Sequence, residues 1–430
     1  MGRKYLLAAV STMLVWGLEY YDIIIYASLA QIFSSLFFPT QSQLMSAVAT
    51  WGAFATTYVV RPLGAVLFGH IGDRHGRRTA TILDSALVGL AGLGIGVLPT
   101  YSTIGLAAPV MLYLLRSLQG LGIGGEAGGG AVWALEQTPE KWRPYVNGLM
   151  YSGLSWAVFL ASALTLWIKE LFGAMFVEIG WRFLYVIGLA PALLALLIRI
   201  GGVESPEWLE RASSGKIPKI PLTAIKNYWY NLLILILINL GLTLYYYGGS
   251  GYWAYLLPKV IAPKLGLSTD EAYTFSLELS MYGAIGAVVG ELLSGASVGL
   301  FGLRRSFVLP SAGLLIIAPI ATYYAFAQSP AAAPLSFTMG LLFGLAAAPQ
   351  TLYFAELFPV EVRWTAVSLG WNINAVVGPL GALATLFLVS VSPQSLFSLT
   401  LSGSLVGIIS ALAVIAGASL EPRAFKRGAP

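Results

Sequence analysis

The sequence predicts an all-α membrane protein of twelve transmembrane helices in two pseudo-symmetric six-helix bundles. Three observations carry this. Of 430 residues, 57% are hydrophobic and only 10% charged, against about 25% charged in soluble domains, so water is not the main solvent for the surface. Twelve apolar runs approach the ~20 residues that cross a bilayer. Two short motifs recur about 220 residues apart, the mark of a duplicated unit.

The runs occupy roughly residues 9–36, 44–70, 79–98, 105–134, 145–171, 182–200, 228–258, 271–298, 306–327, 332–357, 364–390 and 395–418. The basic start MGRK is followed by no small-residue cleavage site, so the first run is expected to stay as a span. With the N-terminus in the cytosol, the inner links and both termini collect eighteen of the 24 lysines and arginines, Arg74, Arg77, Arg78, Arg143, Arg199 and Arg363 among them. The positive-inside rule then predicts a multi-pass protein of the cell membrane with both termini cytosolic. The same asymmetry explains the net charge of +5 without nucleic acid as a partner. The longest polar stretch, residues 201–227, reads as a cytosolic linker between bundles 1–200 and 228–430.

The repeat supports that division. EQTPEKWR (Glu136–Arg143) and ELFPVEVR (Glu356–Arg363) both read E-x-x-P-x-x-x-R. GHIGDRHGRR at 69–78 has a worn copy in which Gly69, Gly76 and Arg78 correspond to Gly295, Gly302 and Arg304, while Asp73 has become Gly299 and Arg74 Leu300. Parallel halves related by an axis along the membrane normal generate this spacing.

Charges inside the apolar runs are the candidate chemistry. Glu19, Asp22 and Tyr26 share one helix face at i, i+3 and i+7. Asp22 falls near mid-span, where a charge costs about 2.5–3.5 kcal/mol, so the face should line a cavity. Arg116 lies similarly deep in the fourth span. The two form either a structural ion pair or a proton-coupling pair, because a carboxyl that gains and loses a neighbouring guanidinium releases and binds a proton. Function is favoured, since ionisable residues inside membranes are functional by default; Glu19 is the second choice for proton coupling, supporting Asp22 or touching substrate. Glu126, about 15 Å cytosolic of Arg116 along the helix, is a proton relay or a partner for an arginine at the gate. Arg61, before Pro62, satisfies the proline kink or an inner acid, or holds an anionic substrate; with Arg116 it favours a carboxylate-bearing one.

Candidate substrate contacts are Tyr26, Arg61, Arg116, Tyr245, Tyr246, Trp253, Trp371, Asn372 and Asn374. For the aromatics the competing role is an interfacial belt, and for the amides interhelical hydrogen bonding. Glu278 and Glu291 in the eighth span carry the same ambiguity. The run GLGIGGEAGGG imitates a phosphate loop, but it lies inside an apolar span, where small residues let helices pack closely. At 69–78, glycines permit close approach and Asp73 is suited to a helix N-terminus. Arg74 and Arg77 would pair with acids such as Glu136. Gly69, Asp73, Arg74, Gly76, Arg77, Arg78, Glu136, Arg143, Glu356 and Arg363 thus form the candidate cytosolic gate.

In these motifs the chain resembles the major facilitator superfamily. GHIGDRHGRR is similar to the family's G-x-x-x-D-R-x-G-R-R loop signature, and RSLQGLGIGGE (Arg116–Glu126) to the arginine motif of the fourth span. ESPEWL and ELFPVEVR resemble the sugar porters, and GLEYYD, RPLGAVLFG and GGEAGGG the metabolite–proton symporters related to them. The resemblance implies alternating access and proton-coupled symport of a small organic metabolite, with Asp22 and Arg116 as coupling pair. Sugar uptake, or proton-driven drug or metabolite export, is the alternative. With no cysteine and two histidines, no metal site and no cofactor is expected, and no nucleophile–base pair suggests an enzyme. The expected partners are a small-molecule substrate, protons and the lipid bilayer, with the protein acting as a monomer.

Overall fold

A computed structural model describes residues 2–40, 42–214, 225–248 and 256–422, and among them it is helical with no strand. The long helices, in chain order, are α1 (Gly2–Phe37), α2 (Gln43–His75), α3 (Arg77–Val97), α4 (Ala107–Gln137), α5 (Arg143–Phe172), α6 (Gly180–Ile200) and α7 (Trp229–Gly248). There follow α8 and α9, the two arms (269–301 and 303–326) of Thr269–Phe326; α10, which is Ala332–Ala347 continued as Pro349–Glu356; α11 (Arg363–Val391); and α12 (Leu396–Ser419).

Two turns show the duplication physically. At 1.5 Å per residue an unbroken Thr269–Phe326 would be more than twice as long as the ~30 Å bilayer core. It breaks at Gly302, with φ 76°. The chain breaks between α2 and α3 at Gly76, with φ 114°. These are corresponding glycines of the repeated motif, and both occupy positive φ, which a side chain resists.

The chain gathers into two units. Unit 1 holds the described residues of Met1–Gln137, Leu160–Ala224 and Val360–Asn372; unit 2 holds those of Thr138–Phe159, Ile225–Pro359 and Ile373–Pro430. Helix α5 therefore gives its first half to unit 2, and α11 gives its first turns to unit 1.

In unit 1 the glycine run of α4 packs at backbone contact. A Cβ on Gly124 would sit 2.1 Å from the Arg61 carbonyl oxygen, and one on Gly129 1.8 Å from the Trp364 ring. In unit 2, Gly286, Gly340 and Gly344 bring α8 and α10 equally close. The unit's apolar core includes Tyr245, Leu257, Leu279, Phe326 and Met339.

Among the described residues of the linker is a helix not anticipated from the sequence, Pro206–Ser213. Its signal was present. The Ser205 hydroxyl accepts from the Trp208 N–H as an N-cap, and Pro206 occupies the first turn.

Candidate functional site

Unit 1 buries a set of charged side chains. On α1, the Asp22 carboxylate (Oδ2) accepts from Arg116 Nη1 at 2.6 Å, and Gln119 Oε1 accepts from the same nitrogen at 2.9 Å. The guanidinium lies over the Tyr26 ring, 4.4 Å from its centroid, an arrangement that favours a cation. The Tyr26 hydroxyl donates to the Thr50 carbonyl at 2.8 Å. Asp22 lines a cavity of about 20 Å³ with Tyr21, Gln119 and Tyr185, large enough for a water molecule. Its second oxygen, Oδ1, has no hydrogen-bond partner among the described residues.

Glu19 Oε1 accepts from Arg61 Nη1 at 2.5 Å, so Arg61 is paired with an inner acid and rests on the Tyr58 ring. Glu126 is held by both terminal nitrogens of Arg199, at 2.8 and 2.6 Å, while Arg199 Nη1 also reaches Asp84 Oδ1 at 3.3 Å. Arg199 was counted above with the cytosolic links. The structure corrects this, because Arg199 is wholly buried in α6 between two carboxylates. Asp84 was missed, although an acid inside the third apolar run was itself the signal. This set thus comprises four buried carboxyls, Glu19, Asp22, Asp84 and Glu126, and three buried guanidiniums, Arg61, Arg116 and Arg199. A buried charge without a counter-charge is severely unfavourable. The excess acid lies where Asp84 and Glu126 share Arg199.

At the ends of α2 and α4 a second cluster forms. Asp73 Oδ2 accepts from the Thr365 N–H at 3.0 Å and the Thr365 hydroxyl at 2.5 Å, in the first turn of α11, and Asp73 pairs with Arg77. Arg77 also reaches Glu136 Oε2 at 3.3 Å and donates to the Val360 carbonyl at 2.8 Å. Glu136 accepts from Arg363 at 3.1 Å and from the Ser205 hydroxyl at 2.6 Å, and Arg363 also holds Glu207 at 2.8 Å. Burial alone would raise the pKa of Glu136, but Arg77 and Arg363 outweigh it and hold the carboxyl below its usual range. Glu204 accepts from the Arg77 and Arg78 N–H groups at the start of α3. Burial leaves it above the usual carboxylate range in spite of those bonds.

Trp208 of the linker helix donates its ring N–H to the Asp73 carbonyl at 2.8 Å. Gly69 and Gly76 admit Thr365 and Glu204 respectively where a Cβ would collide. Arg78 donates to carbonyls at the end of α6. Arg74 does not join the cluster: it is exposed and makes no ion pair among the described residues, and Arg363 is the second arginine on Glu136. In unit 2, Arg143 donates to the Thr138 carbonyl at 3.0 Å, and Glu356 is exposed at the end of α10.

The remaining candidates are dispersed. Trp371 packs on Trp16 with ring centroids 5.7 Å apart. Asn372 donates to the Gly124 and Ser368 carbonyls at 2.8 and 2.7 Å, and Asn374 donates to the Ile236 carbonyl at 3.0 Å. Tyr245 is buried in the core of unit 2, stacked on Phe343, and Tyr246 lies beside the same ring. Trp253 lies outside the described residues. No group of three or more residues arranged to hold a metal ion occurs among the described residues.

Comparison with known proteins gives a consistent result. Residues 5–382 match the family profile of the Major Facilitator Superfamily. The inner membrane metabolite transport protein YhjE of Escherichia coli (strain K12) is 31% identical over 376 residues, covering 86% of this chain and 84% of that protein. The shikimate transporter of the same organism is 29% identical, covering 92% of this chain and 91% of its own. In fold, the chain is similar to the proton:xylose symporter XylE bound to 6-bromo-6-deoxy-D-glucose, with TM-score 0.74 and 18% identity over 96% of this chain and 95% of that one. This is a multi-pass membrane transporter of metabolites, and the chain belongs to the Major Facilitator Superfamily.

Proposed function

We propose that this transporter carries a small organic metabolite bearing a carboxylate together with a proton, by alternating access, as a monomer in the cell membrane with both termini cytosolic. One observation carries the reading: a carboxyl–guanidinium pair, Asp22 and Arg116, buried beside a water-sized cavity with one carboxyl oxygen unpartnered. Protonation of Asp22 frees Arg116. The guanidinium is then available to a substrate carboxylate, which it suits through its planar fork of donors. Substrate departure restores the pair and expels the proton.

Relatives support the substrate class. Besides the shikimate transporter, they include proteins named alpha-ketoglutarate permease and proline/betaine transporter. Each of those named compounds carries a carboxylate. In this scheme the cluster of Asp73, Arg77, Glu136 and Arg363 is the cytosolic gate, and the acid-rich Asp84–Glu126–Arg199 group lies on the proton's route between Asp22 and that gate.

The test is uptake by purified protein in lipid vesicles. Counterflow with dicarboxylates, hydroxy acids, betaines and hexoses identifies the substrate; exchange only with hexoses refutes the carboxylate assignment and favours sugar uptake, the reading supported by the likeness to XylE. An inward proton gradient should accelerate uptake of the substrate found, and Asp22→Asn should remove that acceleration while leaving exchange measurable. A mutant with unchanged gradient dependence removes Asp22 from the mechanism. Acceleration by the opposite gradient assigns export.

A further inference from the structure

Glu291 lies in α8, only 1% exposed, and neither unit 1 pairing nor the proposed gate uses it. Its Oε1 accepts from the Ser155 hydroxyl of α5 at 2.8 Å, and Oε2 has no partner among the described residues. The Glu291 backbone packs closely against two helices. A Cβ on Gly148 of α5 would lie 2.3 Å from the Glu291 carbonyl oxygen, and one on Gly344 of α10 would lie 2.9 Å from its backbone nitrogen. The packed elements carry Tyr145 and Tyr151 on α5, Tyr151 being bonded to Gln350, and Tyr353 on α10; none of these hydroxyls bonds to Glu291 among the described residues. None of the charged residues on those helices and their continuations, Arg143, Lys169, Glu170, Glu271, Glu278, Arg304, Arg305 and Glu356 included, pairs with Glu291 among the described residues; Arg304 pairs with Glu421.

We propose that Glu291 is a proton-binding site of unit 2, and that the proton it holds keeps the first half of α5 seated on α8. A carboxylate enclosed by three helices with one hydroxyl donor and no counter-charge is far less stable than its neutral form. Closed contact and bound proton therefore go together. Once water reaches the carboxyl it ionises, and the contact does not reform until the proton returns, which is linkage between two equilibria.

The contrast with α11 sharpens the point. Its first turns are held in unit 1 by compensated charges, Asp73 with Arg77 and Glu136 with Arg363. The matching half of α5 is held in unit 2 against an acid that has no arginine. The acid is not an inherited copy either, since the repeat offset pairs Glu291 with Ala65. The site stands without Asp22, and it places a second proton in the cycle.

Infrared titration of the full chain in lipid vesicles reads the proton directly. At pH 7, Glu291→Gln should remove one carboxyl's share of the protonated C=O absorption, and Asp22→Asn should leave that component in place. Full intensity in Glu291→Gln overturns the site. The contact is read with cysteines, of which the chain has none. Ser294→Cys, one turn along α8 and buried, is labelled with a water-soluble maleimide and normalised to the exposed Ser214→Cys to cancel thiol ionisation. The normalised rate should rise about tenfold or more between pH 6 and 9, and should stay low and flat when Glu291→Gln is added. A flat profile with Glu291 intact, or the same rise without it, overturns the linkage.

Discussion

Replacing Glu136 with glutamine tests whether buried charge holds the first turns of α11 in unit 1. Glu136 is one carboxylate serving two guanidiniums, Arg77 at 3.3 Å and Arg363 at 3.1 Å, with its side chain 1% exposed. Removing one member of a buried pair costs about 3–5 kcal/mol, because a charge is left uncompensated. Here the residue left behind is not bare: Arg77 keeps Asp73 and the Val360 carbonyl, and Arg363 keeps Glu207. Arg363 is also partly solvated, so its share is at most about 1 kcal/mol. The glutamine still offers Ser205 an acceptor. The lower end, about 3 kcal/mol, is therefore the expected cost, or roughly a hundredfold in the equilibrium for releasing residues 360–372. Amide hydrogen exchange of peptides spanning that segment should accelerate by this factor, while Ala332–Ala347 of α10 stays unchanged. Glu356→Gln removes the corresponding acid of the second motif copy, which is exposed, and should leave the segment unaffected. Unaltered exchange in Glu136→Gln, or equal acceleration in Glu356→Gln, refutes the reasoning.

The same cluster sets a pH limit. Because Arg77 and Arg363 hold Glu136 below the ordinary carboxylate pKa of 4.5, its stabilisation is fully present above that value and lost as pH falls through the depressed one. Exchange of 360–372 should thus be flat from neutral pH down to about 4.5, after correction for intrinsic exchange, and rise only below it. In the Asp84–Glu126–Arg199 group, Arg199→Met leaves two buried acids with no cation. It should lower stability by about 3–5 kcal/mol at neutral pH, read as thermal unfolding by tryptophan fluorescence. Adding Asp84→Asn and Glu126→Gln should recover most of the loss; no recovery would mean that Arg199 acts through packing alone.

The fold was legible because its signals are long and redundant. Twelve apolar runs and a repeated glycine motif each point to duplicated helical halves, and Gly76 and Gly302 take positive φ at the matching positions. The deepest charges were legible too. Asp22 and Arg116 lie at similar depth on different spans, so each is the natural partner of the other. Asp84 and Arg199 were not, because near a span's end a charge reads equally well as a topology signal or a buried partner. Which it is depends on helix rotation, which hydropathy does not encode. Trp371, Asn372 and Tyr245 show the same gap: an aromatic or amide in an apolar run has several uses, and here Asn372 spends its donors on two backbone carbonyls.

The duplicated E-x-x-P-x-x-x-R motif shows most clearly why residues can be found and their partners missed. Within one copy, the acid and arginine are seven residues apart across a proline, and local spacing suggests no contact or a contact within the copy. In unit 1 the acid of the first copy, Glu136, instead meets the arginine of the second, Arg363, at 3.1 Å. Two further charges complete the arrangement, Arg77 from the glycine motif and Glu207 from the linker helix. A cluster drawn from α3, α4, α11 and the linker has no local sequence signature, because each contributor is positioned by a different helix end. Duplication nevertheless supplies a rule: once a motif is copied, each acid has a second candidate arginine at the repeat distance. A motif pair of this kind should be tested for pairing between copies before pairing within one, and the Glu136 and Glu356 variants above separate those two possibilities in this chain.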